Sequence, residues 1–215
     1  MKIFLISDYL PDEVTGGCEI NDKELANLLR KKGHFVVQKK SAFVDQQFIF
    51  ENRKQNFIVS NFEQLLDPAR EALKRCNYVL YEHDHKYLES RDPARYENFK
   101  VPSEELINLD FYRKAQQVFC QSDFHLGIVQ QNTALTNLSN ISGNLWSEES
   151  LSLMEEIAEE GKEDCAAILD SGEHHKNTLG ALKYCQHLKR EHVLVSSSDY
   201  HRFLRTLGRN NELVF

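Results

Sequence analysis

The sequence predicts a doubly wound α/β fold, and three observations carry that expectation. A continuous apolar run, Ile3 to Ser7, opens the chain in the way of a strand buried on both faces of a parallel sheet. Short apolar runs then alternate with segments of helical period as far as about Asn140. After Trp146 a fresh strand and helix series begins. These divide the chain into a Rossmann-like domain over 1–145, a helical connector over 146–164, and a partial second Rossmann-like domain over 165–215.

Taken in order, the elements follow from local chemistry. Glu19 to Lys32 places Ile20, Leu25, Leu28 and Leu29 at helical spacing and ends in Lys31, Lys32 and Gly33, a helix stop. His34 to Gln38 and Phe57 to Ser60 read as strands, and Leu65 to Arg75 as a helix with Pro68 in its first turn. Tyr78 to Tyr81 is the next strand, followed by an irregular charged stretch from Lys86 to Lys100. Glu104 to Gln116 reads as a helix and Val118 to Gln121 as a strand. Ser147 caps an acidic helix that stops at Gly161. Ala166 to Leu169 and His192 to Ser196 are strands around a helix over Thr178 to Lys189. Asp199 to Leu207 is a short helix stopped by Gly208, and Glu212 to Phe215 opens a strand, so the second series reads as stopping in mid-fold. Glu155, Glu156, Glu159, Glu160 and Glu163 read as a solvated helix face.

Composition narrows the function. With 41% hydrophobic and 27% charged residues, the 215-residue chain is neither collagenous nor disordered. Five dispersed cysteines without a C-x-x-C pair exclude a zinc ribbon and a thioredoxin-type motif, and suit reduced thiols. A formal charge of −7 argues against nucleic acid as partner. No stretch reaches the roughly 20 apolar residues of a membrane helix. The opening run breaks at Asp8 with no small-residue cleavage site behind it, so a cytoplasmic location is the default.

Three segments carry chemistry. Gly16 and Gly17 precede a helix, where exposed amide N–H groups suit an anion, although paired glycines also serve turns of positive φ. Glu82-His83-Asp84-His85 follows a strand, at the sheet end where ligands of α/β folds collect. His83 and His85 there suit a phosphate or hydroxyl; as metal ligands, in a metal-dependent hydrolase, they would need Asp170, His174 and His175 as partners. In Asp170 to Asn177, Lys176 opposes the dipole of the helix it precedes, which a bound anion would explain. Asp92, Arg95 and Tyr96 form a polar loop, Ser196 to Ser198 read as a cap with Asp199, and Cys18 would be reactive only if the helix terminus lowered its pKa.

In this order the segments resemble the opening of a glycosyltransferase of the GT-B fold. The similarity is to the retaining, nucleotide-sugar-dependent group that includes sucrose synthases and bacterial lipid mannosyltransferases. It rests on Met1 to Pro11, on Thr15-Gly16-Gly17 with a helix ending Lys31-Lys32-Gly33-His34, on His83-Asp84, on Val118 to Ser122, and on Ile168 to Ala181 with Lys176. The resemblance implies transfer of a sugar from a nucleoside-diphosphate donor to a hydroxyl acceptor, without cofactor or essential metal. It implies catalytic roles for His83, at the transferred sugar, and Lys176, at the departing diphosphate. Gly16, Gly17, Asp84, Ser122 and Ser171 become substrate and phosphate contacts. Ser171 stands where the family usually has arginine, and the family's Glu-x7-Glu segment is absent. The expectations are therefore a glycosyltransferase incomplete or inactive as this chain, or a non-catalytic nucleotide- or sugar-binding module of the same fold. A second domain cut short would expose strand edges and promote self-association, and peripheral contact with a membrane stays open.

Overall fold

The computed structural model describes residues 1–14, 16–160, 163–172, 176–196 and 210–214. They form two compact units, Met1–Leu145 and Trp146–Phe215. The first is built on six parallel strands: β1 (Lys2–Ser7), β2 (Phe35–Lys40), β3 (Asn56–Val59), β4 (Asn77–Tyr81), β5 (Val118–Cys120) and β6 (Leu138–Asn140). Their order is β2-β1-β3-β4-β5-β6. The chain winds outward from β1 to β2 and then, from β3, in the opposite direction. The switch point therefore lies between β1 and β3, the position at which open α/β sheets collect ligands.

The continuous apolar run of β1 follows from its place inside this sheet. Ile3 and Leu5 pack with Ala26 of α1 (Gly17–Lys31) on one face. Phe4 and Ile6 point to the other face and join a larger core with Ile49, Phe57, Leu73 and Val129. Residues from α2 (Gln46–Glu51), α3 (Asp67–Leu73), α4 (Leu109–Lys114) and α5 (Asp123–Thr133) supply that core. A strand flanked by helices on both sides has no polar face to display. On the α1 side, an apolar pocket of about 310 Å³ remains between Leu25 and Leu28 and the strand residues Ile58, Val79 and Phe119.

Local signals fix the helix ends. Gly33, at φ 82, takes the left-handed conformation that stops α1. Ser122 caps α5, its Oγ accepting the His125 N–H at 3.1 Å. Ser122→Ala is expected to cost about 1 kcal/mol, read as a lower urea midpoint at unchanged m. The helix expected over Glu104 to Gln116 is shorter than its pattern suggests. Leu106 is bridged to Leu88, the Ile107 N–H donates to the Tyr87 carbonyl at 2.8 Å, and Asn108 sits at φ 57, so α4 begins only at Leu109. A long-range pairing has overridden local periodicity.

The second unit opens with α6 (Glu148–Ala158), capped by Ser147, whose Oγ accepts the Ser150 N–H at 3.0 Å. Glu155, Glu156 and Glu159 are exposed on it. Three parallel strands follow in the order β8-β7-β9: β7 (Glu163–Leu169), β8 (His192–Val195) and β9 (Asn210–Val214). Helix α7 (Thr178–His187) packs Ala181 and Cys185 against Ala166 and Ile168. Thr15, Gly161, His174, His175, Ser197, Ser198, the helix expected over Asp199 to Leu207, Gly208 and Phe215 lie outside the described residues. Among the described residues, no helix is long and apolar enough to cross a membrane. Both units are α/β, and the first is a Rossmann-like sheet.

Candidate functional site

The site residues gather beyond the carboxyl ends of β1, β3, β4 and β5, where Asp8 is buried. Asp8, just after β1, accepts the backbone N–H groups of Glu63 and Gln64 at 3.1 and 3.0 Å and bonds the Ser41 hydroxyl. One carboxylate thus ties together the loops that follow β1, β2 and β3.

Beside it starts α1. Gly16 is its N-cap at φ −115, with no side-chain cap bond, so neither glycine is needed for positive φ. A Cβ at Gly16 would meet only the end of the Glu19 side chain, which would have to shift to admit it. At Gly17 an added Cβ would meet nothing within 4 Å, so that side of the helix start is open to approach. Glu19 is buried and folds back on its own N–H, a favourable place for negative charge at a helix N-terminus. Burial, aided by Asp22, nevertheless pushes its carboxyl above the usual range. Cys18 is not activated: burial, Asp22 and Glu19 push its thiol up rather than down.

One turn further, α1 turns polar side chains inward. Asp22 is 1% exposed and lies 3.7 Å, Oδ1 to Nε2, from His83, which is 7% exposed. The second oxygen of Asp22 bonds the Ser60 hydroxyl after β3. The Nδ1 of His83 lies 3.0 Å from the Gln121 amide after β5, and its ring packs 4.4 Å from that of Tyr81. Asn21 accepts the Leu145 N–H at 2.8 Å. At 3.7 Å the Asp22–His83 pair is too long for a hydrogen bond. Asp22 Oδ1 and His83 Nε2 are both buried with no hydrogen-bond partner among the described residues. With the Cys18 Sγ they form a set of ligand atoms within 4.8 Å of one another.

Sequence reasoning passed over Asp22, Ser60 and Gln121. Asp22 carried a readable signal, because it sits three and seven residues before Leu25 and Leu29 on the apolar stripe of α1. Ser60 and Gln121 matter only through the strand order that brings the ends of β3 and β5 beside β4.

Beneath His83 lies a charged network. Glu82 and Lys86 are each 2% exposed. The Tyr112 hydroxyl donates to Glu82, which also accepts the Asp84 N–H at 3.0 Å. Lys86 donates to Asp84, whose other oxygen is 3.1 Å from Arg91, and Arg91 reaches Glu63 at 3.0 Å. Burial pushes the Glu82 carboxyl up, but Lys86 and the Tyr112 hydroxyl outweigh it and leave it below its usual range. Both oxygens of Asp84 are thus engaged within the protein. His85, at φ 58, turns away from His83; its ring meets that of His125 edge-on at 4.7 Å, and its Nδ1 lies 3.1 Å from the Tyr87 hydroxyl. His85 belongs to no metal-ligating group among the described residues, so the structure does not pair it with His83 around an ion.

The remaining residues sit as follows. Ser122 is the cap of α5. Asp92 caps a short turn and holds Arg95 at 3.2 Å, while Tyr96 bonds Glu105, so that loop satisfies itself. Ser171 and Lys176 belong to the second unit. The Ser171 N–H donates to Thr178 Oγ1 at 3.2 Å, and Lys176 is exposed just before α7.

No protein-family model matches the chain. No curated protein matches it either. Among solved structures, an alpha-glucosyltransferase in complex with UDP-glucose and DNA containing an abasic site matches at a TM-score of 0.46 and 12% identity. The match covers 86% of this chain and 53% of that one, so this chain spans about half the length of that protein.

Proposed function

We propose that the chain serves glycosyl transfer from a nucleoside-diphosphate sugar to a hydroxyl acceptor. The observation that carries the reading is the meeting of the Gly16–Gly17 helix start and His83 at the switch point, through Asp22 of the same helix 3.7 Å from the His83 ring. The resemblance of these segments to the retaining GT-B group supplies the chemistry. The bond between the anomeric carbon and the diphosphate oxygen breaks with its electron pair on the diphosphate, and the acceptor oxygen bonds to that carbon on the same face while its proton passes to the departing diphosphate. Charge gathers on the departing diphosphate, where amide dipoles and fixed cations lower the barrier most. The open side of Gly17 would admit phosphate oxygens to the α1 terminus. The role of Lys176 at the departing diphosphate rests on the resemblance alone.

Ser171 in place of arginine leaves one fewer charge for the leaving group. The reading in which the chain binds nucleotide or sugar without turnover draws on that substitution.

The test is thermal denaturation of the 215-residue protein with UDP, GDP and ADP in the presence of EDTA. At about 100 times Kd, one diphosphate is expected to stabilise the fold by about 2.7 kcal/mol. His83→Ala or Lys176→Ala should lower that gain by at least half. No shift with any of the three would refute a donor site in this chain.

A further inference from the structure

We propose that Cys18, Asp22 and His83 form a binding site for a divalent cation of the zinc class. The three side chains offer sulfur, oxygen and nitrogen, a donor set suited to zinc. Their ligand atoms lie within 4.8 Å of one another, and Asp22 Oδ1 and His83 Nε2 are 3.7 Å apart. Tetrahedral zinc, with bonds of about 2.0–2.3 Å, sets its ligand atoms about 3.3–3.5 Å apart. The Asp22–His83 pair is already close to that, and no separation in the set has to contract by much more than about 1 Å.

The second observation is the pair of buried atoms without hydrogen-bond partners. A buried polar atom without a hydrogen bond keeps its desolvation penalty, and these two, 3.7 Å apart and paired only as charges when His83 is protonated, gain a common partner in a cation. The other polar atom of each side chain is held, Asp22 Oδ2 by Ser60 and His83 Nδ1 by Gln121. Such outer bonds are how metal ligands are oriented. Gln121 Nε2 faces both His83 Nδ1 and Asn144 Oδ1; with both amides turned over, the Gln121 oxygen accepts the Nδ1 proton and an Asn144 N–H, leaving His83 Nε2 with the lone pair that a metal takes. Three protein ligands leave a fourth position for water or a bound molecule, the pattern of an open rather than a structural zinc site.

An ion held here occupies the Nε2 of His83, the residue that the resemblance sets at the transferred sugar. Metal-loaded and sugar-bound chains are then alternatives, a consequence that, unlike the site itself, rests on that reading. The nucleotide experiment above is run in chelator, so its failure and the failure of the metal site are separable.

The test is a titration of chelator-stripped protein with cobalt(II) alone. One equivalent is expected to produce a thiolate-to-cobalt charge-transfer band, and added zinc should abolish it. Cys18→Ser should remove the band, while Asp22→Asn and His83→Ala weaken binding by at least about tenfold. Circular dichroism verifies that each variant is folded. The cobalt band of the unaltered chain is itself a readout without variants. No charge-transfer band at stoichiometric cobalt, or a band that survives Cys18→Ser, would overturn the site.

Discussion

Replacing Lys86 by methionine is expected to destabilise the first unit by about 3–5 kcal/mol, lowering Tm by roughly 6–20 °C. Lys86 is 2% exposed and is the cation between Glu82 and Asp84. Burial alone would favour its neutral form, but the two carboxylates outweigh that and hold it charged. Methionine fills much of the same volume, so the loss measures charge rather than a cavity. Glu82 would be left buried with the Tyr112 hydroxyl and the Asp84 N–H as its hydrogen-bond donors and without the cation that stabilises its charge most. Removing both buried charges should be far milder, because no uncompensated ion remains. The double variant Lys86→Met with Glu82→Gln is therefore expected to recover more than half of the loss in urea unfolding. A loss below about 1 kcal/mol for Lys86→Met alone would show that water already solvates this network. Because Glu82, Asp84 and Lys86 flank His83 in sequence, the same variant should also weaken binding of any ligand held by His83.

What was legible in the sequence follows how local each signal is. β1 was readable because Ile3, Phe4, Leu5 and Ile6 are all buried, alternate residues on alternate faces. α1 was readable from its stripe and from Gly33. α2 was not anticipated, since six residues hold too few turns for a period to emerge, and its one clear mark is the Asp45 cap accepting the Phe48 N–H at 2.7 Å. α5 was missed because Phe124, 66% exposed on its outer side and packed edge-on to Phe99, blurs the apolar stripe. The glycine start and His83 stood out as residue types in telling places. Asp22, Ser60 and Gln121 act together only once β3, β4 and β5 lie side by side, and that order is a tertiary fact. Asp8 shows the same limit: read as the residue that ends an apolar run, it is in the fold the clamp on three loops.

Acidification is expected to unfold the first unit earlier than its carboxylates alone would require. His125 is 9% exposed; burial, with the neighbouring His85 adding to it, pulls its pKa down to about 4. In the unfolded chain the same group titrates near about 6.5. Between those values the unfolded state holds the extra proton, so stability falls as pH falls through the window. The loss amounts to about 2 kcal/mol by pH 5 and about 3 kcal/mol by pH 4. Glu82 and Asp84 on the β4 loop favour protonation of His125, while His83 and His85 oppose it, and all four are already included in that shift. His85 is also lowered, first by its own burial, and acts in the same direction. Glu19 acts in the other: with its carboxyl raised, the folded chain binds its proton first, which gains stability as pH falls through the carboxylate range. The two effects have opposite sign, so a net loss of stability on acidification would show the histidine effect winning. His125→Phe keeps a ring against His85 and removes the titration. Its Tm should therefore decline less than that of the unaltered protein between pH 7 and 5, by about 4–8 °C. Parallel declines for the two proteins would mean that His125 is protonated in the folded state, and that water or a hydrogen-bond partner reaches its Nε2.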